Sequence, residues 1–164
     1  MHLKNNKFAD VVKNTPLVAI DLFIIKDRKL LIGKRKNSPG INKYFVPGGR
    51  IKKNENIKEA LDRILLNETC MRLRKTEYAK FHGIDEHFYK ENFLNNKKFN
   101  THYVVLLFSI KYKKLKLLNG EISLKNQHKD FLWVKKTESK DLKKEMNKYM
   151  KSYLKRKFLS SMIG

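Results

Sequence analysis

At 164 residues, with 41% hydrophobic and 11% aromatic residues, the chain has enough apolar material for one compact domain with a core and a ligand cleft. That excludes a disordered polymer. A single cysteine, Cys70, excludes an internal disulfide framework and suits a reducing compartment. The formal charge of +22 admits nucleic acid, an anionic membrane surface or a phosphorylated substrate as partner. Lysine is spread along the whole chain, however, and asparagine is abundant beside it. Most of the charge therefore reads as solvated surface, and nucleic acid is not an expected partner.

No secretory signal is visible in Met1 to Asn14, which is polar. The apolar run Leu17 to Ile25 is interrupted by Asp21 and has about half the length that a bilayer span requires. A soluble, cytoplasmic protein with no membrane partner is the expectation.

Phe8 to Lys13 predicts a short helix, ended near Thr15–Pro16 because the residue before proline avoids helical geometry. Leu17 to Ile25 and Leu30 to Lys34 predict a hairpin around the polar turn Asp27 to Lys29. Asn37 to Asn42 is a loop, and Tyr44 to Val46 a short strand running into the bend Pro47–Gly48–Gly49. Asn56 to Glu68 predicts a helix with Ile57, Leu61, Ile64 and Leu65 on its core face. Tyr78 to Ile84 and Thr101 to Tyr112 predict strands, separated by a long polar and aromatic loop from Asp85 to Asn100. A last strand, Phe131 to Val134, precedes a basic helix from Asp141 to Phe158 with Met146, Tyr149, Met150 and Tyr153 on one side. The sum is a single α/β domain over residues 1–164, a mixed sheet sandwiched between helices.

The informative stretch is Gly49-Arg50-Ile51-Lys52-Lys53-Asn54-Glu55, then seven residues to Arg63, then Glu68. A Gly–Gly pair after a strand lets the backbone approach a phosphate–metal complex with no Cβ in the way. Acidic side chains on the following helix offer the oxygen ligands a hard cation prefers. Each feature alone is ordinary, a tight turn or a surface helix; the ordered set is specific. Asp21 stands out separately. A carboxylate inside an apolar strand must be paired or functional, because burying an unpaired charge is costly.

This ordered set resembles the Nudix box: Gly, five residues, Glu, seven residues, Arg and an acidic helical end. The family's three acidic helix positions after the arginine are here Ile64, Asn67 and Glu68, spaced to share one helical face. One carboxylate suits one metal ion, not a cluster. Cys70 stands where the box usually ends in glycine and implies a different helix exit. Beyond the box, the chain is similar to the GDP-mannose mannosyl hydrolase branch of the family. That likeness runs through Thr15-Pro16-Leu17-Val18, Asp21, Gly33-Lys34-Arg35, Tyr44 to Arg50, His87-Phe88-Tyr89, Thr101 to Val105, Gln127-His128 and Trp133.

The resemblance implies the Nudix fold and Mg²⁺-dependent hydrolysis of a GDP-sugar, GDP-mannose as the leading substrate, at the anomeric carbon with inversion. It implies one Mg²⁺ per subunit, held by the Gly48 carbonyl, Glu68 and Gln127, with His128 as general base. Arg35, Arg50 and Arg63 would assist the departing diphosphate, whose geometry the guanidinium fork matches. Asp21 and Tyr103 would touch the sugar or diphosphate, His87 would touch substrate, and Phe8 would stack on guanine. The branch is usually dimeric, so a homodimer is expected. GDP-mannose, GDP-glucose and GDP-fucose are not distinguished. Two other readings stay open: a Nudix pyrophosphohydrolase that attacks phosphorus, and a non-catalytic module binding RNA or another polyanion.

Overall fold

The computed structural model describes residues 4–95, 97–118 and 128–163, and of residues 128, 129 and 140 the backbone alone. It begins with helix α1 (Asn5–Asn14), which closes at Thr15 through a backbone bond to the Val11 carbonyl. Strands β1 (Leu17–Lys26) and β2 (Lys29–Arg35) follow as an antiparallel hairpin. Ile25 faces Leu30 and Lys26 faces Lys29, so the turn is two residues long, and both Asp27 and Arg28 take positive φ. That left-handed pair matches the right-handed twist of the flanking strands.

Short strands β3 (Tyr44–Phe45) and β4 (Gly48–Arg50) lead into α2 (Ile57–Thr69). Asn56 and Glu59 form a reciprocal capping box at its start. The ribbon of β5 (Met71–Leu73) with β8 (Leu115–Leu117), two long strands β6 (Lys80–Tyr89) and β7 (Thr101–Lys111), strand β9 (His128–Val134) and helices α3 (Lys148–Tyr153) and α4 (Lys157–Ile163) complete the chain.

The main sheet runs β3-β2-β1-β7-β6, with β4 added to β1 and β9 to β2. Only β1 and β7 are parallel among these described pairings, so the sheet is mixed as expected. β1 is buried on both faces. Ile20, Leu22 and Ile24 pack with Leu61, Ile64 and Leu65 of α2, while Ala19 and Phe23 pack with Met150, Tyr153 and Leu159 of α3 and α4. Alternation along the strand thus puts Asp21 on the α3/α4 side.

Three expectations change. The loop from Asp85 begins later, because β6 continues to Tyr89 in register with Thr101, His102 and Tyr103 of β7. The long C-terminal helix is two short ones. Glu145 and Asn147 bond across to Tyr44 of β3, and Asn147 then caps Tyr149, so residues 141–145 are turn and Met146 bridges the sheet edge before the helix begins. The α2 exit is also the left-handed one that glycine usually serves, since Cys70 sits at φ 56° and its N–H reaches the Leu66 carbonyl. The cysteine pays for that conformation and is buried in return.

Candidate active site

The box is built on β4. Gly48 lies opposite Asp21 on β1, and a Cβ there would stand 2.6 Å from Asp21 Oδ1 and 2.7 Å from the Ile20 carbonyl oxygen. Only glycine fits. At Gly49 a Cβ would be 3.2 Å from Ile64 Cγ1, which is how closely α2 rests on the turn. Arg63 holds the loop between them. Its Nη2 donates to Glu55 Oε2 and to the Arg50 carbonyl, each at 2.7 Å, while Nε donates to Glu55 Oε1. Glu55 also accepts the Lys52 N–H at 2.8 Å. The Arg63 guanidinium beside it holds the Glu55 carboxyl below its ordinary value. Arg63 is thus spent on the architecture of the box and does not line the cavity described next.

A cavity of about 470 Å³ opens beside β4, within the range of small-molecule sites. Phe8, Asp21, Arg35, Arg50, His87 and Tyr103 all line it. Two loops wall it, joined where Ser38 donates to Asn95 Oδ1 and Glu91 accepts the Gly40 N–H. At the rim the Arg50 guanidinium lies 3.9 Å from the centre of the Phe8 ring, and Phe93 packs on the same ring at 4.6 Å. Arg35 Nε is buried in the wall and meets no hydrogen-bond acceptor among the described residues. An unanswered buried donor of that kind is costly without a ligand and suits an anion.

The floor is a chain of three buried groups. Tyr153 donates its hydroxyl hydrogen to Asp21 Oδ2 at 2.7 Å, and His87 Nε2 lies 2.8 Å from the same hydroxyl oxygen. With that hydrogen given to Asp21, the His87 Nε2–H is the donor to Tyr153. Burial pushes the Asp21 carboxyl up to about 7, only partly opposed by the Tyr153 hydrogen bond and Arg35. Burial also pulls His87 down to about 4, so its ring is neutral at physiological pH. The ring is stacked on Tyr149, 3.9 Å between centroids. Tyr103 lies opposite His87 in the β6–β7 register, and burial raises its phenol.

Asp21, Arg35, Arg50, His87, Tyr103 and Phe8 are therefore brought together, with Gly48 at the edge of the same cavity. Glu68 is on α2, 5% exposed, one turn beyond Ile64 on the face toward the box. Gln127 lies outside the described residues. His128 opens β9, its backbone in register with Arg35, and its side chain is outside what is described. Tyr153 and Tyr149 were legible only as an apolar stripe. The signal that could have found them is Asp21 itself, since a buried carboxylate requires a donor.

The sequence model of the NUDIX domain matches residues 15–156. The chain belongs to the Nudix family. It is 32% identical over 108 residues, 66% of its length, to the low-salt glycan biosynthesis protein Agl8 of Haloferax volcanii, covering 67% of that protein. Over 54 residues it is 43% identical to an ADP-ribose pyrophosphatase of Methanocaldococcus jannaschii, which is 33% of this chain and 32% of that one. Among solved structures, a MutT Nudix hydrolase from Burkholderia pseudomallei superposes with a TM-score of 0.67 at 20% identity, over 88% of this chain and 99% of the other. A bifunctional NMN adenylyltransferase/ADP-ribose pyrophosphatase from Francisella tularensis, complexed with AMP and a manganese ion, gives 0.64 at 22% identity, over 97% of this chain and 45% of the other. At those identities the superpositions establish the fold. Nudix hydrolases act on nucleotide derivatives and generally use a divalent cation such as Mg²⁺ or Mn²⁺. No helix among the described residues is long and apolar enough to cross a membrane.

The residues present fit one such cation. The Gly48 position admits no Cβ because Asp21 Oδ1 and the Ile20 carbonyl stand there, and the buried Glu68 on α2 is a carboxylate, the oxygen donor a hard cation prefers. Among the described residues no group of three His, Cys, Asp or Glu side chains gathers as a metal cage.

Proposed function

We propose that this Nudix hydrolase cleaves the glycosyl C–O bond of a GDP-hexose, GDP-mannose foremost and GDP-glucose next, releasing GDP and the free sugar with inversion. The observation that carries the choice of bond is at α2. Ile64 sits so close to the turn that a Cβ on Gly49 would stand 3.2 Å from its Cγ1, so an apolar side chain fills a place where a carboxylate would strengthen a metal cluster at the pyrophosphate. Glu68 is left to serve a single Mg²⁺, with the Gly48 carbonyl and Gln127.

In this reading guanine stacks at Phe8, which Arg50 already covers from one side. Arg35 and Arg50 take the diphosphate, the unanswered Arg35 Nε pointing to an anionic oxygen. Arg63 acts through Arg50, fixing its carbonyl. Asp21, Tyr103 and neutral His87 contact the sugar, with Tyr153 holding Asp21 in place. His128, at the start of β9 beside Arg35, removes the proton from the attacking water. When bound, Mg²⁺ neutralises charge growing on the departing diphosphate. A relative from glycan biosynthesis is in keeping with a nucleotide-sugar substrate.

A cytoplasmic homodimer belongs to the same reading. The buried free thiol of Cys70 suits a reducing compartment. β6 ends the main sheet with Phe81, Ile84 and Phe88 exposed, an edge open to self-pairing.

The second reading is attack at phosphorus, favoured by the 43% identical stretch shared with an ADP-ribose pyrophosphatase. Hydrolysis of GDP-mannose in ¹⁸O-water with Mg²⁺ separates the two, with Glu68→Gln as the inactive control. Label in mannose, with GDP as the nucleotide product, is the expected result. Label in a phosphate, with GMP formed, would overturn the proposal.

A further inference from the structure

The second cavity of the molecule is at the other end of β1 and β7. It measures about 890 Å³ and is framed by the β1–β2 turn, the end of β7 with the 3₁₀ turn that follows, and the start of β6. Asp21 and Lys26 are five residues apart on β1, so the two cavities are separated by roughly 16 Å of strand. Six of its fourteen described lining residues are basic: Lys26, Arg28, Lys80, Lys111, Lys113 and Lys114. In the whole chain Lys and Arg are 38 of 164, and in the first cavity they are three of twenty lining residues, Arg35, Lys36 and Arg50. The charge is therefore concentrated here beyond the background composition. Asp27 is the one carboxylate of the described lining, and none of the six cations is ion-paired among the described residues.

A second feature extends the same tract. β8 continues directly from Lys114, and in the β5–β8 ribbon Arg72 stands opposite Lys116, both exposed. Like charges directly opposed across two strands destabilise the pair unless an anion lies between or over them. Arg74, whose N–H bonds the Lys114 carbonyl, joins the ribbon to the groove. The basic path is thus a concave groove that runs out along a ribbon. That form follows an extended polyanion and exceeds a compact one. Aromatic rings are interleaved with the cations: Lys114 Nζ lies 4.0 Å from the Tyr78 ring and Lys26 Nζ 4.9 Å from Tyr112. Among the described residues none of the large exposed apolar side chains lines the groove, which argues against its seating in a lipid surface through an apolar wedge.

From this arrangement we infer that the groove between the β1–β2 turn and Lys111–Lys114 binds single-stranded nucleic acid, its phosphates on the lysines and its bases against Tyr112 and Tyr78. Most of the +22 charge is then solvated surface, and this groove is the part of it with a partner.

The test uses the full chain and a fluorescein-labelled oligouridylate of about twelve nucleotides, a length that spans a typical single-strand site. Fluorescence anisotropy is read for the wild type, for Lys111→Ala/Lys113→Ala and for Lys143→Ala/Lys144→Ala. The last pair removes the same charge from exposed positions elsewhere. The groove pair should weaken binding roughly tenfold at 0.1 M salt and flatten the log–log salt slope by about 1.4, two phosphate contacts at 0.7 each for a single strand. The control pair should move both by less than half as much. The inference is overturned if the two pairs weaken binding equally, if the wild type does not bind, or if phosphatidylserine vesicles bind through Lys111 and Lys113 where the oligonucleotide does not.

Discussion

The two ends of the β1/β7 pair use charge in opposite ways. At one end three cations line a cavity whose floor is buried and hydrogen-bonded, with Tyr153 joining Asp21 to His87. At the other, six cations stand around an open groove with no ion pair among the described residues. In the first, burial makes each group's protonation state specific and each dipole fixed, so few charges suffice. In the second, water screens every charge, and only number gives affinity. Electrostatic work is set by desolvation as much as by count, so the +22 of the whole chain says little about the catalytic end.

The largest expected effect breaks the buried end through its protonation. Asp21 ionises at about 7 in the fold against 3.8 when free, so its contribution to stability is fully present below pH 3.8 and lost as pH rises through 7. A shift of that size corresponds to roughly 4 kcal/mol at alkaline pH. His87, pulled from 6.5 to about 4, has the opposite sense: its penalty is absent above 6.5 and grows as pH falls toward 4. Between pH 4 and 6.5 the two nearly cancel, since each changes stability by about 1.4 kcal/mol per pH unit in opposing directions. In the metal-free protein, Asp21→Asn should raise stability by several kcal/mol at pH 8 and expose a loss from pH 6.5 to 4 that the wild type hides. Urea unfolding at four or five pH values reads both. A wild-type-like pH profile in the variant would mean that the carboxyl is not desolvated as the buried end requires.

Next in size is Arg35. Removing a preorganised donor from a closed site commonly costs about a hundredfold or more in turnover. Arg35→Ala should lower kcat/KM for GDP-mannose by that order, whereas Lys111→Ala/Lys113→Ala at the open end should leave it unchanged. Equal losses in a steady-state GDP-release assay would erase the distinction between the two ends.

Most of the frame was legible in the sequence: β1, β2 and β7 from their apolar runs, α2 from its periodicity, the turn at Gly48–Gly49 from its residues. The C-terminal part was not. A helical stripe of Met146, Tyr149, Met150 and Tyr153 fits one helix, but the bonds of Glu145 and Asn147 to Tyr44 are tertiary and leave no local pattern. β6 was read short because Asp85-Glu86-His87 is polar. Its pairing with β7 supplies the order that its composition does not. In the site, Asp21 stood out as a carboxylate in an apolar strand and the family resemblance pointed to Arg35 and Arg50; the fold then gave Asp21 its partner, Tyr153. Arg63 was expected on the diphosphate, but the Glu55 fork is closer to hand. The basic groove was illegible because its cations come from three separate segments and look, in sequence, like any others.

The smallest expected effect is also the one that compares the ends directly. Raising salt from 50 to 200 mM halves the Debye length, yet Arg35 Nε is buried in the wall, and at the exposed rim partial desolvation still holds the Arg50 guanidinium below its ordinary value. Desolvated charges are screened little, so kcat/KM for the GDP-sugar should fall only about two- to fourfold, through slower encounter of substrate with the positive surface. Over the same interval, oligonucleotide affinity at the groove should fall by a few hundredfold if all six cations engage phosphates, because a slope near −4 applies to a fourfold change in salt. Both measurements use one protein and one buffer series, so generic loss of structure would move them together. A steep fall in kcat/KM would mean that the diphosphate is held by exposed lysines and not by the two arginines of the cavity wall.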